Sequence, residues 1–182
     1  MSIDGSEGSG IYLIQDPSRC NMNNRPYIVQ EYIDRPFLID SLKFDIRIYV
    51  LILGLDPLEI LLYDEGLVRF ATVEYEAPTT KNLHETCMHL TNYSLNKRSA
   101  NYKHASNVEQ TDASKRKLSQ VWSQLCTMFS YDVINETKNK IKELINKTIL
   151  AILPELRVQY TSELSTERKQ NRCFQVFHDR ME

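Results

Sequence analysis

Glycine is scarce in this chain: five residues in 182, at positions 5, 8, 10, 54 and 66. None follows Gly66, so every later turn must be made by residues that carry a Cβ. No apolar run reaches the roughly 18 residues of a membrane-spanning helix, so no membrane partner is expected. The four cysteines, Cys20, Cys87, Cys126 and Cys173, are widely spaced with no C-x-x-C pair. That spacing argues for reduced thiols and against a disulfide framework or a zinc site. Residues Met1 to Gly10 hold no basic residue and no apolar core, so they are not expected to act as a signal peptide. Neither sign of charge dominates: 22 basic against 24 acidic residues give a net charge of −2, and no nucleic-acid partner is expected. What remains is a globular composition, 42% hydrophobic and 25% charged, with length for one ordinary domain or two small ones.

The charge is unevenly spread. Residues 1–80 hold 6 basic and 13 acidic side chains, whereas residues 81–120 hold 7 and 3. The middle stretch is a basic island that suits a polyanion or a solvated loop. The first part reads as an antiparallel meander. Its strands are expected at Ile11–Ile14, Tyr27–Ile33, Lys43–Leu53, Leu58–Tyr63 and Leu67–Thr72, with turns at Asp56-Pro57 and Glu65-Gly66. Residues 73–116 lack a period and read as a long loop. Apolar spacings of three and four predict helices over Leu118–Phe129 and about Asn135–Leu153, the second capped by Asn135 and ended or restarted at Pro154. The fold class expected is therefore α+β, an antiparallel sheet followed by C-terminal helices. Residues 1–72 are mostly sheet, 73–117 a basic active-site loop and 118–170 mostly helical.

Chemistry concentrates on the strand Lys43-Phe-Asp-Ile-Arg47. Lys43, Asp45 and Arg47 share one face with Tyr49, and Phe44, Ile46, Ile48, Val50 and Ile52 share the other. If both faces are covered, those charges need partners, because unpaired buried charge is costly. A nucleotide supplies them: hydroxyls for the carboxylate and phosphates for the cations. Arg69 on a neighbouring strand, the loop His89-Leu-Thr-Asn92 and the turn Gly8-Ser-Gly10 complete a phosphate-gripping set. His89 is read as a structural hydrogen-bonder rather than a base.

Four segments carry a resemblance: Gln30-Glu-Tyr-Ile33, Lys43 to Val50, Asp64 to Ala71, and Met88-His-Leu-Thr-Asn-Tyr-Ser-Leu-Asn-Lys97. In order and spacing they resemble the tubulin–tyrosine ligase-like family, and Ser114-Lys-Arg-Lys-Leu-Ser119 is similar to its polyglutamylase branch. The resemblance implies an ATP-grasp fold that uses ATP and Mg²⁺. It implies an acceptor glutamate activated as an acyl phosphate, which the amine of free L-glutamate then displaces. The partner implied is the acidic C-terminal tail of tubulin, in the cytoplasm and cytoskeleton, extending to the cilium axoneme or basal body, with the ligase a monomer. Carried over residue by residue, Gly8 and Gly10 match the glycine loop, and Gln30, Glu31, Tyr32 and Ile33 match the adenine-lining hinge. Lys43 and Asp45 match adenine and ribose contacts, Arg47 a phosphate-side catalytic cation, and Thr91 and Asn92 further nucleotide contacts. Arg69, also read as catalytic, falls with Ser94 and Lys117 on the site for the incoming glutamate.

The sequence departs from the family pattern in three places. Ser9 stands where the glycine loop has arginine. The family's earlier lysines have no counterpart here. The stretch Cys173 to Glu182 does not present the metal-binding aspartate, glutamate and asparagine in register, so no metal ligand is assigned. The resemblance thus implies a partial ligase core with weak ATP binding and little ligation. Two other readings stand beside it: an inactive pseudo-ligase that binds tubulin or nucleotide, and a tubulin glycine or tyrosine ligase.

Overall fold

A computed structural model describes residues 11–19, 28–106 and 110–163. The described residues are α+β, with antiparallel strands followed by C-terminal helices, as the sequence predicts. They form two compact units, one within residues 11–47 and 67–120 and the other within residues 48–66 and 121–163.

In the first unit, β1 (Phe44–Arg47), β4 (Leu67–Phe70) and β5 (Lys115–Lys117) make a three-stranded antiparallel sheet in the order β1-β4-β5. The register pairs Phe44 with Phe70, Asp45 with Arg69 and Arg69 with Lys115. Side chains alternate across a strand, so Phe44, Ile46, Val68, Phe70 and Arg116 share one face. Val68 and Phe70 on that face are fully buried, each worth about 1.5–3 kcal/mol of transfer free energy. The Phe44 and Phe70 rings lie 5.6 Å apart, and Phe37 meets Phe44 edge-on at 6.3 Å. Two short helices, α1 (Thr86–His89) and α2 (Tyr93–Asn96), bring Met88, His89 and Asn96 into the core.

A turn without glycine leads into β1. Asp40 and Ser41 both adopt the left-handed region, with φ of 54° and 61°, while Ile39 and Leu42 exchange backbone hydrogen bonds of 3.2 and 2.9 Å. Arg116 holds this turn: its guanidinium, 2% exposed, donates to Asp40 Oδ2 at 3.0 Å and to the Ala113 carbonyl, and lies 3.9 Å from the Phe70 ring centroid.

In the second unit, β2 (Val50–Leu55) and β3 (Leu58–Leu62) form a hairpin around Asp56-Pro57, with a bulge between Ile52 and Gly54. The helix α3 (Leu118–Met128) begins in the first unit and ends in the second, burying Leu118, Val121 and Leu125 at spacings of three and four. The helix α4 (Tyr131–Glu163) follows, and its Arg157 donates twice to the Leu55 carbonyl, at 3.0 and 2.8 Å.

Several sequence expectations are corrected. The single strand Lys43–Leu53 is two strands in two sheets, because β1 pairs with β4 while β2 pairs with β3. β3 and β4 are therefore not a hairpin about Glu65-Gly66, and the sheet is not one meander. Val50 is 37% exposed rather than buried on the apolar face. Ile11–Ile14 and Ile28–Ile33 form no strand; Tyr27 lies outside the described residues. The supposed loop 73–116 contains α1, α2 and the start of β5. Asn135 lies inside α4 rather than at its cap, and the helix runs through Pro154 without ending. Its inward positions are Ile134, Ile149 and Leu153, with Ile141 and Ile145 half-buried, whereas Leu144 and Ile152 face solvent.

Candidate functional site

The face of β1-β4-β5 opposite the core carries Asp45, Arg47, Arg69, Lys115 and Lys117, by the same alternation that buries Val68 and Phe70. Four cations thus surround one carboxylate. Arg47, Lys115 and Lys117 are exposed. Arg69 grips Asp45 as a fork: Nε donates to Oδ1 at 3.0 Å and to Oδ2 at 3.1 Å, and Nη2 donates to Oδ2 at 2.6 Å. Such an excess of positive charge on a half-exposed face attracts anions, and guanidinium favours planar, two-oxygen partners.

Beside this row lies a shallow depression lined by Arg69, Thr91, Tyr93, Tyr102, Ser114 and Lys115, among others. The Lys115 ammonium stands 4.7 Å from the Tyr93 ring centroid, and Lys97 approaches the same ring at 5.4 Å. Tyr102 meets Tyr93 edge-on at 5.8 Å, and burial pushes its hydroxyl pKa up, so it stays protonated. Thr91 and Asn92 are placed by Asn96, whose amide is 1% exposed and fully bonded. Its oxygen accepts from the Thr72 backbone N–H at 3.1 Å and the Thr72 hydroxyl at 2.9 Å, and its nitrogen donates to the carbonyls of Leu90 and Asn92 at 2.8 and 3.1 Å. A side-chain amide has two donors and two acceptor sites, and here all four are used.

Lys43 belongs to a second polar group. Its ammonium donates to the Tyr32 hydroxyl and to the His89 carbonyl, both at 3.0 Å, and stands 4.1 Å from the Tyr32 ring centroid. His89 Nε2 faces the Asn82 carbonyl at 3.1 Å; a carbonyl only accepts, so Nε2 carries the proton. Nδ1 then accepts from the Tyr32 hydroxyl at 3.1 Å. Burial holds the His89 pKa below its ordinary value, and the Lys43 ammonium adds to this against the Asn82 carbonyl and Glu85. Burial likewise lowers Lys43, opposed by Asp45, and raises Tyr32. His89 is thus a buried, neutral link, in line with its reading as structural.

Of the predicted site residues, the structure brings Tyr32 to Lys43, Asp45 to Arg69, and Thr91 to the depression that Arg69 lines. Gln30, Glu31 and Ile33 are exposed and irregular. Arg47 and Lys117 share the face of Arg69, but Lys117 stands opposite Leu67, and the residue opposite Arg69 is Lys115. Asn92 precedes α2 and Ser94 lies within it, both half-buried. Gly8 and Gly10 lie outside the described residues, as does the Cys173–Glu182 segment. Lys115, Asn96 and Arg116 were not foreseen. The alternation Lys115-Arg116-Lys117 is the signal for two of them, charged outward and stacked inward; a lone Asn in a short loop gives none. Among the described residues, no group of three or more His, Cys, Asp or Glu side chains could hold a metal ion.

The site is thus an α+β unit whose sheet presents guanidinium and ammonium groups beside a hydrogen-bonding loop. The chain belongs to the tubulin-tyrosine ligase family, which residues 2–178 match. It is similar to tubulin polyglutamylase TTLL11 of Homo sapiens, 48% identical over 177 residues that cover 94% of this chain and 24% of that protein. Tubulin polyglutamylase TTLL6 of Homo sapiens is 40% identical over 172 residues, 94% of this chain and 18% of that protein. Tubulin polyglutamylase ttll-11 of Caenorhabditis elegans is 40% identical over 178 residues, 95% and 24% respectively. The chain therefore spans about a quarter or less of the length of these relatives.

Proposed function

We propose that this chain supplies part of the substrate-gripping core of an ATP-dependent ligase that adds glutamate to glutamate side chains of tubulin C-terminal tails. The observation that carries the reading is the row Asp45–Arg69–Lys115, flanked by Arg47 and Lys117 and lying beside Thr91. Its donor set suits both charged substrates. Arg47 binds and orients phosphate oxygens, and Arg69 with Lys115 and Lys117 suits an amino acid with a second carboxylate. Lys43, fixed against Tyr32, keeps one ammonium hydrogen beyond its two bonds for an adenine-side acceptor. ATP is consumed as a substrate: the acceptor carboxylate takes its terminal phosphoryl group, ADP leaves, and the amine of free glutamate displaces phosphate to form the amide. The magnesium that the family resemblance implies is given no ligand among the described residues, and no step is assigned to it.

The names of the relatives support tubulin as the macromolecular substrate. The basic stretch 81–120 supports an acidic tail as the part engaged. The test is to supply tubulin, ATP and radiolabelled glutamate, glycine or tyrosine to the protein and to its Arg69→Ala variant. The reading expects glutamate alone to be incorporated and the variant to lose at least about tenfold of that rate at limiting glutamate, as loss of a charge-assisted hydrogen bond to a substrate carboxylate does. Incorporation of glycine or tyrosine instead would assign a different ligase. Tubulin or nucleotide binding with no incorporation would assign a pseudo-ligase.

A further inference from the structure

We propose that His89, acting through Tyr32, is a proton-dependent positioning residue for Lys43: the neutral imidazole holds the Lys43 ammonium in place for the nucleotide, and protonation at Nδ1 releases it. The inference rests on the reading of ATP as a substrate. His89 is 1% exposed, and both its ring nitrogens are engaged. Nε2 donates to the Asn82 carbonyl at 3.1 Å, which leaves Nδ1 as the acceptor of the Tyr32 hydroxyl, also at 3.1 Å. The direction of that second bond matters for Lys43. A phenol that gives its one hydrogen to Nδ1 keeps its lone pairs for another donor, and Lys43 donates into them at 3.0 Å. A second hydrogen of the ammonium goes to the His89 carbonyl at 3.0 Å, so Lys43 is held between Tyr32 and the backbone of His89 itself. A proton on Nδ1 turns that nitrogen into a donor. The Tyr32 oxygen then faces two N–H groups, each carrying a full positive charge, in a part-buried site where water screens them poorly. The other titratable groups around the ring do not offset this pair. Tyr75 sets its ring edge-on to His89 at 5.9 Å and donates its hydroxyl to the Asp34 carbonyl; burial raises its pKa, so it stays neutral. The Glu85 carboxylate favours the charged imidazole, but burial and Lys43 oppose it more strongly.

The test is calorimetric titration of the full chain with a non-hydrolysable ATP analogue from about pH 8 to about pH 5, for the wild type, His89→Gln and Tyr32→Phe, with NMR of the imidazole nitrogens alongside. The analogue's own phosphate titrates equally for all three proteins, so the difference between them is what is read. Wild-type His89 should be neutral at about pH 8 with an unprotonated Nδ1, and should take up its proton below the ordinary value of about 6.5. As it does so, the wild type should lose at least about tenfold more affinity than His89→Gln, the loss expected of a hydrogen bond made by a charged group. Glutamine can accept from Tyr32 but takes up no proton. Tyr32→Phe should bind more weakly at about pH 8 and show much less of the pH dependence. By linkage, saturating analogue should move the wild-type His89 titration to lower pH. An imidazole that stays neutral throughout, or one that titrates while the wild type and His89→Gln keep parallel affinities, would overturn the proposal. So would the full pH dependence retained in Tyr32→Phe. If His89→Gln does not fold, the wild-type titration decides alone: a downward shift with the analogue supports the proposal, and an unchanged or upward one overturns it. Wild-type protein that binds no analogue at any pH would overturn this inference and the proposed function together, whereas binding that is indifferent to the charge on His89 overturns this inference alone.

Discussion

Asn96 illustrates how much one residue can hold in place. Its four hydrogen bonds join Thr72, two residues beyond β4, to the loop that carries Thr91 and Asn92. Asn96→Ala would strand buried donors and acceptors, and each such group costs about 1–3 kcal/mol. The expected destabilisation is about 3 kcal/mol or more, read as a lower urea midpoint at unchanged slope. His89 makes a second prediction. Its folded pKa lies below the ordinary value of about 6.5, so between the two the unfolded chain binds more protons. The stability it confers is present above about pH 6.5 and is lost as pH falls through the folded value. Urea midpoints taken from about pH 8 to about pH 5 should fall for the wild type and fall less for His89→Gln. At this scale the charged row was half legible in the sequence. Alternation placed Asp45 with Arg47, but only the register of β4 against β5 puts Lys115, and not Lys117, opposite Arg69. Register depends on pairing partners distant in sequence, which no local pattern records.

Among the elements, helices α3 and α4 were legible because apolar spacing of three and four repeats over many turns. The break between β1 and β2 was not, since Phe44, Ile46, Ile48, Val50 and Ile52 alternate straight through it. Strand period says which residues share a face, not which strand will be the partner. α1, α2 and β5 are three or four residues long, too short to show a period. β5 owes its place to Arg116, buried beneath Lys115 and Lys117 against Phe70 and bound to Asp40. Arg116→Ala should therefore cost about 1–3 kcal/mol, from the loss of the buried guanidinium's hydrogen bonds, while Asp40, 51% exposed, returns to water. It should also raise hydrogen exchange in the amides of β5 before those of α4. A variant with wild-type stability would mean that the pairing of β4 with β5 does not depend on this guanidinium.

For the whole molecule, the described residues divide into a sheet unit that carries the charged face and a helical unit built on α4 and the β2–β3 hairpin. No helix among them is long and apolar enough to cross a membrane. Residues 81–120 carry 7 basic against 3 acidic side chains in a chain of net charge −2, so an acidic tubulin-tail peptide should associate chiefly there. That association should weaken several-fold as ionic strength rises from about 0.05 to about 0.5 M, because the screening length shrinks from more than about 10 Å to less than half of that. Under the proposed function, the outer face of β1-β4-β5 and the Thr91–Asn92 loop grip the charged substrates. Backbone amide NMR of the full chain, titrated with a non-hydrolysable ATP analogue and then with L-glutamate, tests it most directly. The account predicts that shift changes gather on Phe44–Arg47, Leu67–Phe70, Lys115–Lys117 and Thr91–Asn92, with Arg47 responding first to the nucleotide and Arg69 to glutamate. Changes confined to the β2–β3 hairpin and α4, or none at saturating ligand, would contradict it.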